Sequence, residues 1–269
     1  MPALPARGKQ TERNLMRPRP TRWVAFVVAI VASQPSAAAE PAAAGNGRKT
    51  TITVTVDELG MLSSSDPALA RVKELRIDAT CTRTLETAVP LPATLGDLAT
   101  LEALHLGPEG RQDCDLVVTL PANLAKLKKL KTLRADDAFE PTYAVPSFIG
   151  ELSALENLGL MRSHLAAVPD FVGKLKRLRL LTLWRNEIRV VPEFLAELPE
   201  LEEIDLSYNE VHRLPPVLAK ARALRRIRLG NNHLTLAEQE QLRREFPNVA
   251  FDFANEYDDG VANDEASGR

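Results

Sequence analysis

The residues that could carry chemistry are few, and their spacing matches no catalytic or metal-binding motif. The histidines form none of the spacings, such as HxxxH or HExxH, that place two ligands on one metal ion. The sequence has no Gly-rich phosphate loop and no GxSxG nucleophile motif, and its 36 acidic residues form no recognisable acid–base pair. We therefore predict that the protein is not an enzyme and has no catalytic residue, cofactor or metal. The histidines are His105, His164, His212 and His233.

Two cysteines, Cys81 and Cys114, could form a disulfide or remain as free thiols. No recognisable motif supplies a base to either thiol, so a catalytic cysteine is not expected. A structural disulfide needs an oxidising compartment. The choice between the two states therefore depends on where the chain resides.

The N-terminal segment 1–39 has the three-part layout of a secretory signal peptide. A segment with six basic residues precedes the uncharged apolar run from Trp23 to Ala32, and Ala37 to Ala39 supply small residues at a cleavage point. A membrane-spanning helix needs about 20 apolar residues, and this run is about half as long. The sequence therefore favours a periplasmic or secreted protein with no membrane span in its mature form. An uncleaved anchor and a cytosolic tail are the alternatives.

Cleavage after Ala39 would leave an acidic protein with 28 basic and 35 acidic residues, a net charge of −7. Phosphate binding needs a positive field, so we expect no nucleic-acid partner. Residues 40–48, rich in Ala, Gly and Pro, are interpreted as a flexible linker. Residues 254–269 are interpreted as an acidic flexible tail.

Self-similarity with a 23-residue period carries the fold prediction. The segments 155–177, 178–200 and 201–223 align without gaps. Counted from the first residue of each repeat, apolar residues occupy positions 1, 4, 6, 11, 14 and 18, and proline occupies position 15. Positions 4 and 6 alternate as in a short strand with one buried face. Positions 14 and 18 have the spacing of a short helical turn, whose first turn suits the proline.

The string LxxLxLxxNxLxxLPxxLxxL resembles the leucine-rich repeat. Its 23-residue spacing with Leu-Pro or Val-Pro is similar to the subclass of Ras-suppressor-like and plant Ras-group-related repeat proteins. The resemblance covers about residues 72–248. It implies an α/β solenoid, a curved stack with a parallel concave β-sheet and short helical or extended convex returns. It also implies protein ligands in general, and an inward-pointing asparagine at position 9 that bonds the backbone of neighbouring turns. That position holds Asn186, Asn209 and Asn232.

We expect seven repeats over residues 72–247, flanked by a cap at each end. Ile52 and Val54 lie one repeat period before two core positions of the first repeat, so residues 49–71 are interpreted as a degenerate N-terminal cap. In the variant last repeat, Thr235 and Glu238 form a capping box that predicts a helix to about Phe246. Residues 248–253 are expected to form a C-terminal cap strand. The repeats begin at Val72, Leu101, Leu130, Leu155, Leu178, Leu201 and Leu224.

The first three repeats are longer than the others, and the extra residues fall between the strand and the proline step. Cys81 and Cys114 lie in the stretched loops of two adjacent repeats. This neighbourhood favours a disulfide in an exported protein, with two free thiols as the alternative.

Side chains at positions 3, 5, 7 and 8 should face outwards on the concave sheet if positions 4 and 6 point inwards. Trp, Tyr and Arg contribute most of the binding energy at protein interfaces, and exposed aromatic residues on a strand do not pack in the core. The alternative is that these side chains only cover one another. Asp136 and Asp137, in the preceding repeat, could orient a partner electrostatically. The predicted contact residues from three successive repeats are Met161, Arg162, Trp184, Arg185 and Tyr208.

The sequence thus favours a non-catalytic, exported interaction module that binds a protein partner on its concave face. The alternative is an envelope or surface component with a structural or adhesive role, which binds glycan or matrix through the polar and aromatic residues near Trp184 and Tyr208.

Overall fold

The computed structural model describes residues 51–55, 69–78, 88–107, 117–139 and 144–254. The predicted signal peptide, the linker, the tail from residue 255 and both cysteines lie outside these ranges. Within them, no helix is long and apolar enough to cross a membrane.

Within the described ranges, the strands form one nine-stranded parallel sheet and a separate two-stranded sheet. The two-stranded sheet pairs β3 (Val89–Pro90) with β5 (Val118–Thr119). In the large sheet, strands that are neighbours in space follow one another along the chain, which confirms the predicted solenoid with a parallel sheet. Its strands are β1 (Thr51–Thr55), β2 (Glu74–Asp78), β4 (Ala103–Leu106), β6 (Thr132–Ala135), β7 (Asn157–Gly159), β8 (Leu180–Thr182), β9 (Glu203–Asp205), β10 (Arg226–Arg228) and β11 (Ala250–Asp252).

The register of this sheet follows the repeat numbering. Leu158 of β7 lies opposite Leu181 of β8, and Leu181 lies opposite Ile204 of β9. At the N-terminal end, Ile52 lies opposite Leu75, as the repeat spacing predicted. Equivalent repeat positions therefore form straight columns across the sheet.

Each described return contains a short 3₁₀ helix, and a proline directly precedes six of the seven. The proline at position 15 lies just before the helix, which corrects the prediction that it occupies the first turn. Its carbonyl accepts the first helical hydrogen bond, as from Leu95 N to Pro92 O at 3.1 Å. Because proline has no backbone N–H, no donor is left without a partner at this position. The helices are Leu69–Arg71, Ala93–Asp97, Ala122–Lys126, Ser147–Glu151, Asp170–Lys174, Glu193–Glu197 and Pro216–Lys220.

The core lies between the sheet and these returns and consists mainly of aliphatic side chains. Leu178, Leu181 and Leu195 of one repeat are completely buried, and their equivalents in the neighbouring repeats pack against them. Because each repeat covers the apolar faces of the next, the core is continuous through the stack.

The asparagines at position 9 point inwards and bond the backbone of neighbouring turns, as the family resemblance implied. Asn186 accepts from the backbone N–H groups of Ser163 and Leu165, both at 3.0 Å, and donates to two carbonyls. Asn209 and Asn232 make equivalent bonds one and two repeats later. This column of amides satisfies the backbone groups left open where each strand turns into its return.

The C-terminal end has the predicted capping box and helix. Thr235 Oγ1 accepts from Glu238 N, and the Glu238 carboxylate accepts from Thr235 N at 2.7 Å. Helix α1 (Leu236–Glu245) follows, and β11 then pairs with β10 at the end of the sheet.

Candidate functional site

The concave face is built from side chains that alternate with the buried core positions along each strand. In β8, Leu181 is buried while Leu180 and Thr182 on either side are half-buried. The predicted contact residues lie just beyond the strand ends, at positions 7 and 8. They therefore line the edge of the concave face at which the strands end.

Position 8 lies in a turn beyond the strand and has a left-handed backbone in each of the last five repeats. This refines the prediction, which treated positions 7 and 8 as part of the outward strand face. For residues other than Gly, Asn and Asp, this conformation costs roughly 1–2 kcal/mol. The φ values are 56° for Asp137, 50° for Arg162, 57° for Arg185, 55° for Tyr208 and 54° for Asn231.

Trp184, Arg185 and Tyr208 form one group at this edge. The rings of Trp184 and Tyr208 meet edge to face, with centroids 5.2 Å apart and an interplanar angle of 65°. The Arg185 guanidinium lies 5.7 Å from the Trp184 ring centroid. Both rings are half-buried and Arg185 is exposed. The side chains thus cover one another in part, yet each keeps surface available to a partner.

Met161 and Arg162 extend this group into the preceding repeat. Arg162 N donates to Trp184 O at 3.0 Å, so the two turns lie side by side. The Arg162 side chain forms an ion pair with Asp137, from Nε to Oδ1 at 2.7 Å. Met161 is half-buried at position 7, the same position as Trp184. The structure therefore brings the five predicted contact residues together.

Asp136 and Asp137 lie in the next repeat towards the N-terminus, and both bind groups of the chain itself. Asp136 Oδ1 accepts from Met161 N at 3.1 Å, and Asp136 Oδ2 accepts from Arg134 Nε at 3.0 Å. Together with the Asp137–Arg162 ion pair, these bonds balance much of the negative charge that the sequence placed there. These contacts join the turn of Asp136 and Asp137 to the turn of Met161 and Arg162.

An alternating-charge ladder runs along the other end of the strands, at repeat position 2, and sequence reasoning missed it. Glu102 binds Lys73 at 2.7 Å and Lys131 at 3.3 Å, and these two hydrogen-bonded ammonium groups lower the pKa of its carboxyl. The alternation was visible as a column in the aligned repeats, where basic and acidic residues take turns. The ladder consists of Lys73, Glu102, Lys131, Glu156, Arg179, Glu202 and Arg225.

A shallow polar cleft of about 370 Å³ lies beside the later members of this ladder. Arg179 binds Glu202 there through Nη2 and Nε at 2.7 and 3.0 Å, and this carboxylate raises the pKa of the guanidinium. These ion pairs are exposed and each contributes little to stability. They do set charges of opposite sign opposite each other in adjacent repeats, which favours the native register.

The described residues contain no group of three or more His, Cys, Asp or Glu side chains that could hold a metal ion. His164 instead lies 3.4 Å from Glu187 on the exposed corner of the stack.

Part of the repeat region matches a known family model. Residues 153–211 and 176–234 match the leucine-rich repeat family model. No curated protein sequence matches the chain.

Solved structures with similar folds include two internalins from Listeria monocytogenes. One is 15% identical, with 76% of this chain and 59% of that chain covered and a TM-score of 0.50. The internalin C2 structure is 21% identical, with 71% and 73% covered and a TM-score of 0.52. A leucine-rich-repeat protein from Leptospira interrogans is 18% identical, with 69% and 62% covered and a TM-score of 0.43. The chain thus spans less than two thirds of the length of two of these three proteins.

Proposed function

Because the chain folds as a leucine-rich-repeat solenoid, we propose that it is a non-catalytic, exported interaction module that binds a protein partner on its concave face. Leucine-rich repeats in general bind other proteins. The proposed contact group consists of Met161, Arg162, Trp184, Arg185 and Tyr208, flanked by Asp136 and Asp137. The partner would meet this group where the strands end.

The observation that carries the proposal is the position of Trp184 and Tyr208 outside the core. Both rings are only half-buried and pack on each other across two adjacent repeats, outside the hydrophobic core. Trp, Tyr and Arg are the residue types that contribute most to binding energy when a partner covers them. The edge-to-face contact between the rings also fixes their orientation before binding, which lowers the entropy lost on association.

Backbone strain at the same residues supports the proposal. Arg162, Arg185 and Tyr208 have the left-handed conformation that Asn231 adopts at the same position of the last repeat. Asparagine tolerates this conformation better than arginine or tyrosine does. Residues with a strained backbone, at positions where another residue type would be less strained, are concentrated at functional sites.

The rigid elements beneath the group support it as well. Asn186 and Asn209 each bond two successive turns, directly behind the residues that carry Trp184 and Tyr208. A surface held in this way suits recognition, since binding does not first have to order the backbone.

Export is the part of the proposal that depends on sequence alone. The segment 1–39, with its basic residues, short apolar run and small residues, has the layout of a signal peptide. A periplasmic or secreted location would also provide the oxidising conditions for a disulfide between Cys81 and Cys114.

The proposal is tested by capture from envelope and culture-medium extracts of the producing organism. The baits are the full chain and its Trp184→Ala/Tyr208→Ala variant. The matched control is Val190→Ala/Leu236→Ala, which removes two hydrophobic side chains that are 71% and 78% exposed away from the sheet. We expect a protein that binds the wild-type chain and the control and is lost from the Trp184/Tyr208 variant.

Equal capture by all three folded baits would exclude the proposed surface and direct attention to the stretched loops. Retention of a glycan or matrix component, instead of a protein, would replace the proposal with the adhesive alternative.

A further inference from the structure

Arg185 differs from the other concave-face arginines of the described ranges in its charge environment. The others each bind a carboxylate at 3.0 Å or less, or share one with a neighbour. The ion pairs are Arg76–Glu74, Arg134–Asp136, Arg162–Asp137, Arg226–Glu203 and Arg228–Glu203. Arg185 forms no ion pair with a described residue, and its guanidinium instead lies over the ring of Trp184.

This cation is exposed at the centre of the contact group. The Arg185 guanidinium lies 5.7 Å from the ring centroid, and a guanidinium presents a planar fork of N–H donors that matches a carboxylate in two parallel hydrogen bonds. The ring also limits the conformations of the long side chain, so less entropy is lost when a carboxylate binds. The surface therefore offers a preorganised site for one negative charge.

An apolar surface lies directly beside it. Met161 and Trp184 occupy the same repeat position on adjacent turns, which are joined by the hydrogen bond from Arg162 N to Trp184 O, and the backbones of paired strands lie about 4.8 Å apart. Both side chains are half-buried and line the same edge of the concave face as Arg185. A partner that places a carboxylate on Arg185 can thus bring an apolar side chain onto Met161 and the uncovered part of Trp184.

We propose that the partner of the concave face presents an extended acidic peptide segment, in which a Glu or Asp binds Arg185 and an apolar residue two positions away packs on Met161 and Trp184. Alternate side chains of an extended chain lie on the same side about 7 Å apart, a separation that long side chains on turns about 4.8 Å apart can reach. This inference rests on the proposed function and specifies the chemistry of its partner.

The probe is a random copolymer of glutamate and tyrosine immobilised on a sensor surface, with the full chain as analyte. Lysine–tyrosine copolymer and polygalacturonate serve as comparison surfaces. We expect the chain to bind the glutamate–tyrosine polymer more tightly than either of the others. The part of the binding that depends on Arg185 should weaken as salt is raised, because this contact is charged and exposed.

Two arginine variants give the matched comparison. Arg185→Gln should weaken binding to the glutamate–tyrosine polymer by about tenfold or more, as expected for a central charged contact. Arg189→Gln removes an arginine that is also exposed but is bound to Glu210 on the corner of the stack, and should change binding by less than about twofold. Circular dichroism of each variant establishes that it is folded.

Unchanged binding by the folded Arg185→Gln variant would overturn the inference, as would equal or tighter binding to polygalacturonate. If the glutamate–tyrosine polymer does not bind at all while the Trp184/Tyr208 variant loses a captured protein, the acidic peptide is wrong and the proposed function stands. If neither experiment shows binding that depends on the concave face, both proposals fail.

Discussion

Replacing Asn186 with alanine should destabilise the protein more than the same replacement of Asn209, although both residues occupy position 9 of their repeats. Asn186 Oδ1 accepts two backbone N–H groups, from Ser163 and Leu165, whereas Asn209 Oδ1 accepts one, from Ile188. The difference arises because Ser163 occupies position 9 of the preceding repeat in place of an asparagine, and its short side chain cannot bond the turn in the same way.

The carbonyl groups that accept from the two asparagines increase the expected difference in stability between the two variants. Leu183 O accepts from both asparagines, and Leu206 O accepts from Asn209 and Asn232, so the loss of Asn209 leaves each with a donor. Loss of Asn186 also removes the donor to Leu160 O. A buried backbone group left without a partner costs about 1–3 kcal/mol. We therefore expect a loss of about 1–3 kcal/mol for Asn209→Ala, and at least about 1 kcal/mol more for Asn186→Ala.

Urea denaturation of the full chain, followed by far-ultraviolet circular dichroism, measures both losses. Asn157→Ala is the control, because Asn157 lies on the sheet surface and its amide donates to Thr132 Oγ1, at 3.2 Å. Its loss should stay below about 1 kcal/mol. The comparison requires equal denaturant slopes, so that the midpoints report stability. Equal losses for Asn186→Ala and Asn209→Ala, or a larger loss for Asn209→Ala, would refute the reasoning from backbone bonds.

Three further outcomes are expected. Arg185→Asn should raise or preserve the melting temperature. Relief of the left-handed strain contributes about 1–2 kcal/mol, which exceeds the about 0.5–1 kcal/mol of an exposed cation–π contact. A clearly lower melting temperature of the variant in thermal denaturation would contradict this. Hydrogen bonds from Lys73 and Lys131 lower the folded-state pKa of Glu102, so its stabilising contribution is complete above the ordinary value of 4.5 and is lost as pH falls through the lower folded pKa. Glu102→Gln should therefore reduce the loss of stability on acidification below pH 4.5, measured by denaturation at a series of pH values, and an unchanged pH profile would exclude this role. Thr235→Ala should cost about 1 kcal/mol by removing the cap of the last helix, and hydrogen exchange should show α1 opening more readily; unchanged exchange would count against the cap.

The repeat period accounts for most of what could be predicted of the fold. The 23-residue spacing sets which residues stack, since each repeat must bury its apolar face against the next. It therefore also predicts the register of the strands, the column of inward asparagines and the place of the candidate contact residues. The capping box at Thr235 was equally accessible, because it depends on two side chains at a fixed short spacing along the chain.

The charges of the candidate surface could not be predicted in the same way. Asp136 and Asp137 remain predicted to orient a partner, and the sequence did not indicate that Asp136 also accepts from Met161 N and that Asp137 pairs with Arg162. Such pairings depend on side-chain reach across neighbouring turns, which differs between residues that share a repeat position. The position-2 ladder shows the same limit, since its alternation was present in the sequence but its contacts required the stacked strands.

The sequence by itself determined the solenoid, its register and the set of residues at the strand ends. The reason is that the spacing of residues along the chain fixes which residues stack on one another in successive repeats. Only the tertiary structure decided that position 8 turns into a left-handed conformation and that Arg185 lies over Trp184 instead of pairing with a carboxylate of the described residues. The reason is that charge balance and backbone strain arise from distances between turns, and the same repeat position gives Asp137 an ion pair and places Arg185 on an aromatic ring.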